Sequence, residues 1–316
     1  MGKREKTKID DRSWNNRMTR IQAKRNWEGE NGEFLAEYGR GHYICVMKKA
    51  VGVIALFGFM TLNTGCGSNG KEEQQTENND ALPAAVEKMQ AAVKQKPDST
   101  GLRLRLVDML DSIGHYKEAA AEMDSLLVKD SSNYGLWFTK AQVLEHSGDT
   151  TGAIKGYSNA IRIYAAPDAL LSLANLYAEK KDKRTLDALA TVQQMRLGRE
   201  TDANCAFIAG VYYARTGNAA AALEQFDNCI ANNYTYMEAY IEKGMLYFDR
   251  KEYKQAMEVF RFASTVNTLY ADAYYYQARC YEMMGQKDSA ILRFKQSLSL
   301  DKGLKEARAG LKRLGE

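Results

Sequence analysis

A small residue recurs every 34 positions along this chain. Ala85, Ala119 and Ala153 stand 34 apart, as do Ala222, Ala256 and Ala290. The gap from 153 to 222 is 69 residues, one period of 34 and one of 35, so a less regular unit is expected there. A fixed period of this length constrains the fold more than composition does. One such unit cannot bury its own apolar face, and stacking on its neighbours gives it a core. The expected architecture is a quasi-one-dimensional stack, which more often forms a binding surface than a catalytic centre.

Each period reads as two short helices. In Met237–Tyr270, Tyr240, Gly244 and Tyr247 follow at spacings of four and three, on one helical face. A polar break spans Asp249–Glu252, and Ala256, Phe260 and Ala263 then make a second stripe. Gly244 and Ala256 have almost no side chain, so two antiparallel helices can approach closely while Phe260 and Tyr240 fill the space around them. The same grid fits Thr100–Asn133, the unit from Tyr134, Ala203–Tyr236 and Ala271–Leu304. Gly114, Gly148, Gly217 and Gly285 fall at the turn inside their units, where a positive φ is expected.

These positions resemble the tetratricopeptide repeat, with an aromatic at the fourth place, small residues at the eighth and twentieth, and aromatics at the eleventh and twenty-fourth. Five units match. A sixth, from Pro167 to about Glu200, is degenerate: it keeps Leu173, Ala174 and Tyr177 but has Leu186 and Gln193 where small residues are expected. Of the family's inter-unit prolines only Pro97 is in place, and Pro167 is displaced. The resemblance implies an all-α helix-turn-helix solenoid, a right-handed superhelix of about six units over 100–316. Ala85, Met89, Ala92 and Pro97 fit only a second helix, so 81–99 reads as a half-repeat opening the array. Lys305–Leu314 reads as a polar helix that caps it.

The N-terminal region has a different grammar. Met47-Lys48-Lys49, a 13-residue apolar stretch Ala50–Leu62 and the small-residue site before Cys66 are the parts of a secretory signal peptide over 47–65. Thirteen residues are too few to span a bilayer, which takes about 20. Gly65-Cys66 resembles a bacterial lipoprotein signal, although Asn63 stands where that signal usually has Leu. That resemblance implies acylation of Cys66, with a conventional secreted protein as the alternative. Residues 1–46 are polar and basic without an apolar period. The expectation is that Met47 is the initiator and 1–46 an upstream extension; a basic arm for nucleic acid is the rival. Residues 66–80 read as a flexible tether, with Gly67–Asp80 reaching about 20 Å as a random coil. Lys71-Glu72-Glu73 loosely resembles surface-export signals of the Bacteroidota.

The full chain carries a net charge of +4. Without the N-terminal region, basic and acidic residues nearly balance, which removes the electrostatic case for nucleic acid. The three histidines, His42, His115 and His146, have no metal-ligand spacing. His115 and His146 are expected in solvent beside turns. No Cys-x-x-Cys, phosphate-binding glycine loop or Gly-x-Ser-x-Gly occurs. No enzyme, cofactor or metal site is expected. Cys205 and Cys229 lie where antiparallel helix ends meet, so a disulfide is sterically allowed, but Cys229 occupies a small-residue packing position that favours a buried thiol.

In the family it resembles, the first helices line a concave groove. Carried over by position, the groove would be lined by Phe138, Leu171, Phe207, Ile241 and Tyr275 at the fifth places. Gln142, Asn175, Val211, Met245 and Arg279 follow at the ninth, and Phe248 at the twelfth. The alternative for Phe207, Ile241 and Phe248 is packing on the next helix. Of the family's clamp for C-terminal carboxylates only Asn175 is in place, so an extended peptide or amphipathic helix with apolar anchors suits the groove better. Of the tyrosines, Tyr274 and Tyr281 fall at core positions and Tyr276 at an inter-unit seam.

The functional expectation is a non-catalytic, membrane-tethered scaffold that binds a protein or peptide partner in a cell-envelope complex. Its place would be the outer membrane, facing the periplasm or the cell surface. Alternatives are an outer-membrane assembly or pilotin-type lipoprotein, and a ligand- or glycan-binding subunit of an exported system.

Overall fold

The structure, a computed structural model, describes residues 82–316. The expected extension, signal peptide, Cys66 and tether lie outside the described residues. The described residues form fourteen α-helices and no strand. The opening half-repeat is α1 (Ala84–Gln95). Two-helix units follow: α2 (Thr100–Ser112) with α3 (Tyr116–Lys129), and α4 (Tyr134–His146) with α5 (Thr150–Ile163). The degenerate unit is α6 (Pro167–Glu179) with α7 (Arg184–Gln194). Next come α8 (Arg199–Thr216) with α9 (Ala219–Asn232), α10 (Met237–Asp249) with α11 (Tyr253–Val266), and α12 (Ala271–Met283) with α13 (Lys287–Leu300). The last helix is α14 (Lys305–Arg313).

Each first helix packs on its own second helix and on the second helix of the unit before, which is solenoid stacking. The repeated alanines Ala119, Ala153, Ala222, Ala256 and Ala290 are fully buried, beside Met123, Tyr157, Phe226, Phe260 and Phe294. The glycine–aromatic contact expected for Gly244 is present, with the Phe260 ring against its backbone. Gly114, Gly148, Gly217 and Gly285 adopt φ of 82°, 81°, 85° and 74°. Several helix starts are fixed locally: the side chains of Ser99, Asn133, Asp149 and Asn218 accept from the backbone N–H groups of Leu102, Leu136, Gly152 and Ala221. Tyr276 stacks on Phe260 at the inter-unit seam, ring centroids 5.1 Å apart.

Two sequence expectations change. Ala85 is exposed, and α1 instead buries Val86 and Val93. Among the described residues α1 has only α2 to pack on, so the face that would meet a first helix of its own unit has no contact to make. In α7 the buried stripe is Thr185, Leu189 and Val192, one residue ahead of the grid that placed Leu186 and Gln193 at the small positions. The turn before α7 spans residues 180–183 and is tied by the Asp182 N–H to the Tyr177 carbonyl at 2.9 Å and by the Thr185 hydroxyl to the Asp182 carbonyl at 2.7 Å. The small residue of this unit is therefore Thr185, fully buried.

The departure has a consequence for the first helices. α8 runs for 18 residues, against 13 in most first helices, and α6 packs broadly on it. Elsewhere neighbouring first helices touch only slightly. At the C-terminal end, Leu304, Ala307 and Gly310 close over Phe294, so α14 covers the last unit as expected of a cap.

Candidate functional site

The first helices α2, α4, α6, α8, α10 and α12 carry the residues placed in the groove by position. Phe138, Gln142, Leu171, Asn175, Met245, Phe248 and Arg279 are half-buried, so part of each surface reaches solvent. Phe138 is held by Tyr134 and Tyr157, with ring centroids at 5.7 and 5.5 Å. Phe248 is held edge-on by Tyr253 at 5.2 Å. These are apolar groups fixed in place by neighbours yet incompletely covered, the arrangement that suits an interface anchor.

Four of the expected groove residues are buried instead. Phe207 is 4% exposed, Val211 1%, Ile241 2% and Tyr275 8%. Phe207 stacks on Tyr236 at 5.0 Å and lies 5.9 Å from Phe226, in one core cluster with Val211 and Ala174. The direct seating of α6 on α8 covers that stretch. Tyr275 packs between Tyr276 and Phe294 at 4.9 and 5.8 Å. These side chains hold units together and offer no surface to a partner.

Along the row, the C-terminal ends of successive first helices are tied by charge. His146 Nδ1 lies 2.8 Å from Asp111, 35 residues earlier. Arg215 donates to Glu179 at 3.1 Å across 36 residues. Arg313 grips Glu282 with two bonds of 2.9 Å across 31 residues. Between α10 and α12 the Arg279 guanidinium lies 5.5 Å from the Phe248 ring centroid. His146, expected in solvent, is thus part of an inter-unit contact. The hydrogen bond to Asp111 raises its pKa against the opposing effect of burial. Burial pushes the Glu179 carboxyl up to about 7, with Arg215 opposing and Glu242 reinforcing the rise. Glu145 accepts from the buried Tyr157 hydroxyl at 2.7 Å, another charge committed inside the protein. The signal for these ties was present in sequence as opposite charges about one period apart, but surface charges at that spacing are too common to single out.

Among the described residues no cluster of His, Cys, Asp and Glu could hold a metal ion. Cys205, Cys229 and Cys280 are buried thiols outside any disulfide, so the sterically allowed Cys205–Cys229 bond is not formed. Burial pushes the Cys205 and Cys280 thiols up to about 11 and 12, the opposite of what a nucleophile needs. No helix of the described residues is long and apolar enough to cross a membrane.

Comparison with known proteins bears on what this row of helices is. Models of the tetratricopeptide repeat match residues 104–169, 209–265 and 272–302. The unmatched stretch between the first two contains most of the degenerate unit. Among solved structures, a tetratricopeptide repeat protein from Parabacteroides merdae superposes with a TM-score of 0.59 at 19% identity, over 73% of this chain and 91% of that one. PilW, described as a widely conserved type IV pilus biogenesis factor, gives 0.55 at 14% identity, over 66% and 97%. Yeast Tom70 gives 0.50 at 15% identity, over 73% and 57%. At these identities the likeness is one of fold. No curated protein matches the chain.

Proposed function

This chain is a tetratricopeptide repeat protein, and from that premise we propose that it is a non-catalytic scaffold whose first helices bind an apolar-anchored peptide or amphipathic helix of a cell-envelope partner. Tetratricopeptide repeat proteins bind protein or peptide partners. The observation that carries the reading here is the row of half-buried Phe138 on α4, Leu171 on α6, and Met245 and Phe248 on α10. The charges at the helix ends largely satisfy one another, so apolar contact supplies the affinity and the sparse polar groups set register. Acylation of Cys66 would hold the scaffold at a membrane and raise its local concentration near partners in that membrane.

The test is crosslinking and pull-down from native membranes with the full-length protein, a Cys66→Ala form and a Phe138→Ala/Phe248→Ala form. A partner captured by the first, reduced by the second and lost with the third is the expected result. Equal recovery with the double variant would remove the groove from the account, and equal recovery with Cys66→Ala would remove the tether. An outer-membrane assembly role adds one requirement, an envelope defect on deletion that the Cys66→Ala form does not rescue.

A further inference from the structure

The C-terminal half of the row holds a cation that shares its only close acid with a second arginine. Arg279 and Arg313 stand 34 residues apart, on successive first-type helices, with Glu282 between them. Both Glu282 oxygens are taken by Arg313, each at 2.9 Å. Arg279 is left with an ill-aligned approach of 3.4 Å to Glu282, and its buried Nε makes no hydrogen bond. Its closer positioning contacts are uncharged: its Nη1 donates to the Tyr275 hydroxyl at 3.1 Å, and its guanidinium carbon lies 5.5 Å from the Phe248 ring centroid. His146 and Arg215 differ, since each has an acid of the preceding first helix beside it. Two arginines facing one carboxylate leave a charge of about one unit. The Arg279 side chain is one-third exposed, so that charge is reachable.

The surroundings say what would complement it. Phe248, half-buried, supplies apolar surface beside the guanidinium, and Met245, also half-buried, lies three residues earlier on the same helix. Helix α14 adds exposed Lys305, Arg308 and Lys312 at this end of the solenoid, against Glu306. We infer that Arg279, Phe248 and Met245 form an anchor for a peptide segment in which an internal Asp or Glu side chain adjoins a large apolar residue. The carboxylate would take the unused guanidinium donors, and the apolar neighbour would cover Phe248 and Met245. A single guanidinium with donors to spare suits one side-chain carboxylate.

This inference rests on the groove-binding reading, and the experiment separates the two. The probe is a random 12-residue peptide library displayed on phage through its C-terminus, so that no free carboxyl terminus is offered. It is selected on the full-length protein. Enriched sequences are then made as amidated peptides and their affinities measured for wild type, Arg279→Gln and Phe248→Ala. Enrichment of an acidic residue beside Leu, Phe or Met, with about tenfold weaker binding to Arg279→Gln and an unchanged melting curve, is the expected result. Peptides that lose affinity with Phe248→Ala but are indifferent to Arg279→Gln overturn the anion site and leave the groove reading standing. Failure to enrich any sequence overturns both. Should Arg279→Gln melt early, wild-type affinities at low and high salt decide, because an anion-anchored peptide weakens as salt rises and an apolar one does not.

Discussion

Gly210 on α8 lies so close to Phe226 on α9 that a Cβ on the glycine would sit 2.6 Å from a ring carbon. Gly244 meets Phe260 in the same way one unit later, and Gly310 meets Phe294 at 2.5 Å across the cap. Each ring occupies the space that a side chain would fill. The helices of a unit approach because one of them has nothing at the crossing point.

Replacing Gly244 by Leu should therefore overpack the crossing and cost about 1–3 kcal/mol, read as a lower midpoint in urea with an unchanged slope. Gly101 is the control. It is exposed and a Cβ there meets nothing within 4 Å, so Gly101→Ala should stabilise by roughly 0.5–1 kcal/mol. Equal effects at the two positions would contradict the packing described.

The buried and half-buried groove residues should separate experimentally. Phe207→Ala and Ile241→Ala each remove a side chain from a closed core, and each should cost about 2–5 kcal/mol. Phe138→Ala with Phe248→Ala removes incompletely covered rings, with a smaller loss of stability and a larger loss of partner. A thermal melt and a pull-down on the same preparations read both quantities.

Glu179 makes stability depend on pH. Its carboxyl is pushed up to about 7, well above the ordinary glutamate range, so the folded protein binds a proton more tightly than the unfolded chain. The contribution is complete below about pH 4.5 and is lost as pH rises through 7. The size is on the order of 1–2 kcal/mol after allowance for the side chain's partial exposure. Urea midpoints measured across this window should fall with rising pH, and Glu179→Gln should flatten the slope. A wild-type midpoint that rises instead would show that Arg215 controls the carboxylate more strongly than burial does.

His146 has the same sign by a different cause. Its pKa is raised by Asp111, so the tie between α2 and α4 is at full strength below the ordinary histidine range and fades as pH rises through the raised value. Both groups are partly exposed, which limits the effect to about 0.5 kcal/mol. Asp111→Asn should lower the melting temperature at pH 5.5 and leave it nearly unchanged at pH 8.5.

The three thiols give a direct check on packing. Cys205, Cys229 and Cys280 are buried, and two are pushed far above the ordinary thiol range. In native protein a thiol reagent at pH 8 should leave them unmodified and label them fully in denaturant. Rapid native labelling of Cys229 would mean that α8 and α9 separate.

What could be read in the chain was whatever repeats. The 34-residue spacing of Ala119, Ala153, Ala222, Ala256 and Ala290 records a contact made again in every unit, so position alone identified the helices, the turns at Gly114 and Gly285, and the cap. The degenerate unit was misread by one residue because Thr185 is not small by composition; it fits only because its hydroxyl reaches the Asp182 carbonyl.

Which of the expected groove positions stay uncovered was not legible, for the same physical reason. Periodicity states which side of a helix a residue occupies, and Phe138, Phe207 and Tyr275 share that side. Whether the side is open depends on how far apart neighbouring first helices stand. That distance is set by the seating of α6 on α8 and by the pairs Asp111–His146, Glu179–Arg215 and Glu282–Arg313, contacts between residues in different units. The sequence by itself determined the stack and the helix faces, because local packing rules act within one period. The tertiary structure alone decided which faces remain uncovered and that Arg279 shares its carboxylate with Arg313, because those outcomes depend on the angle between periods.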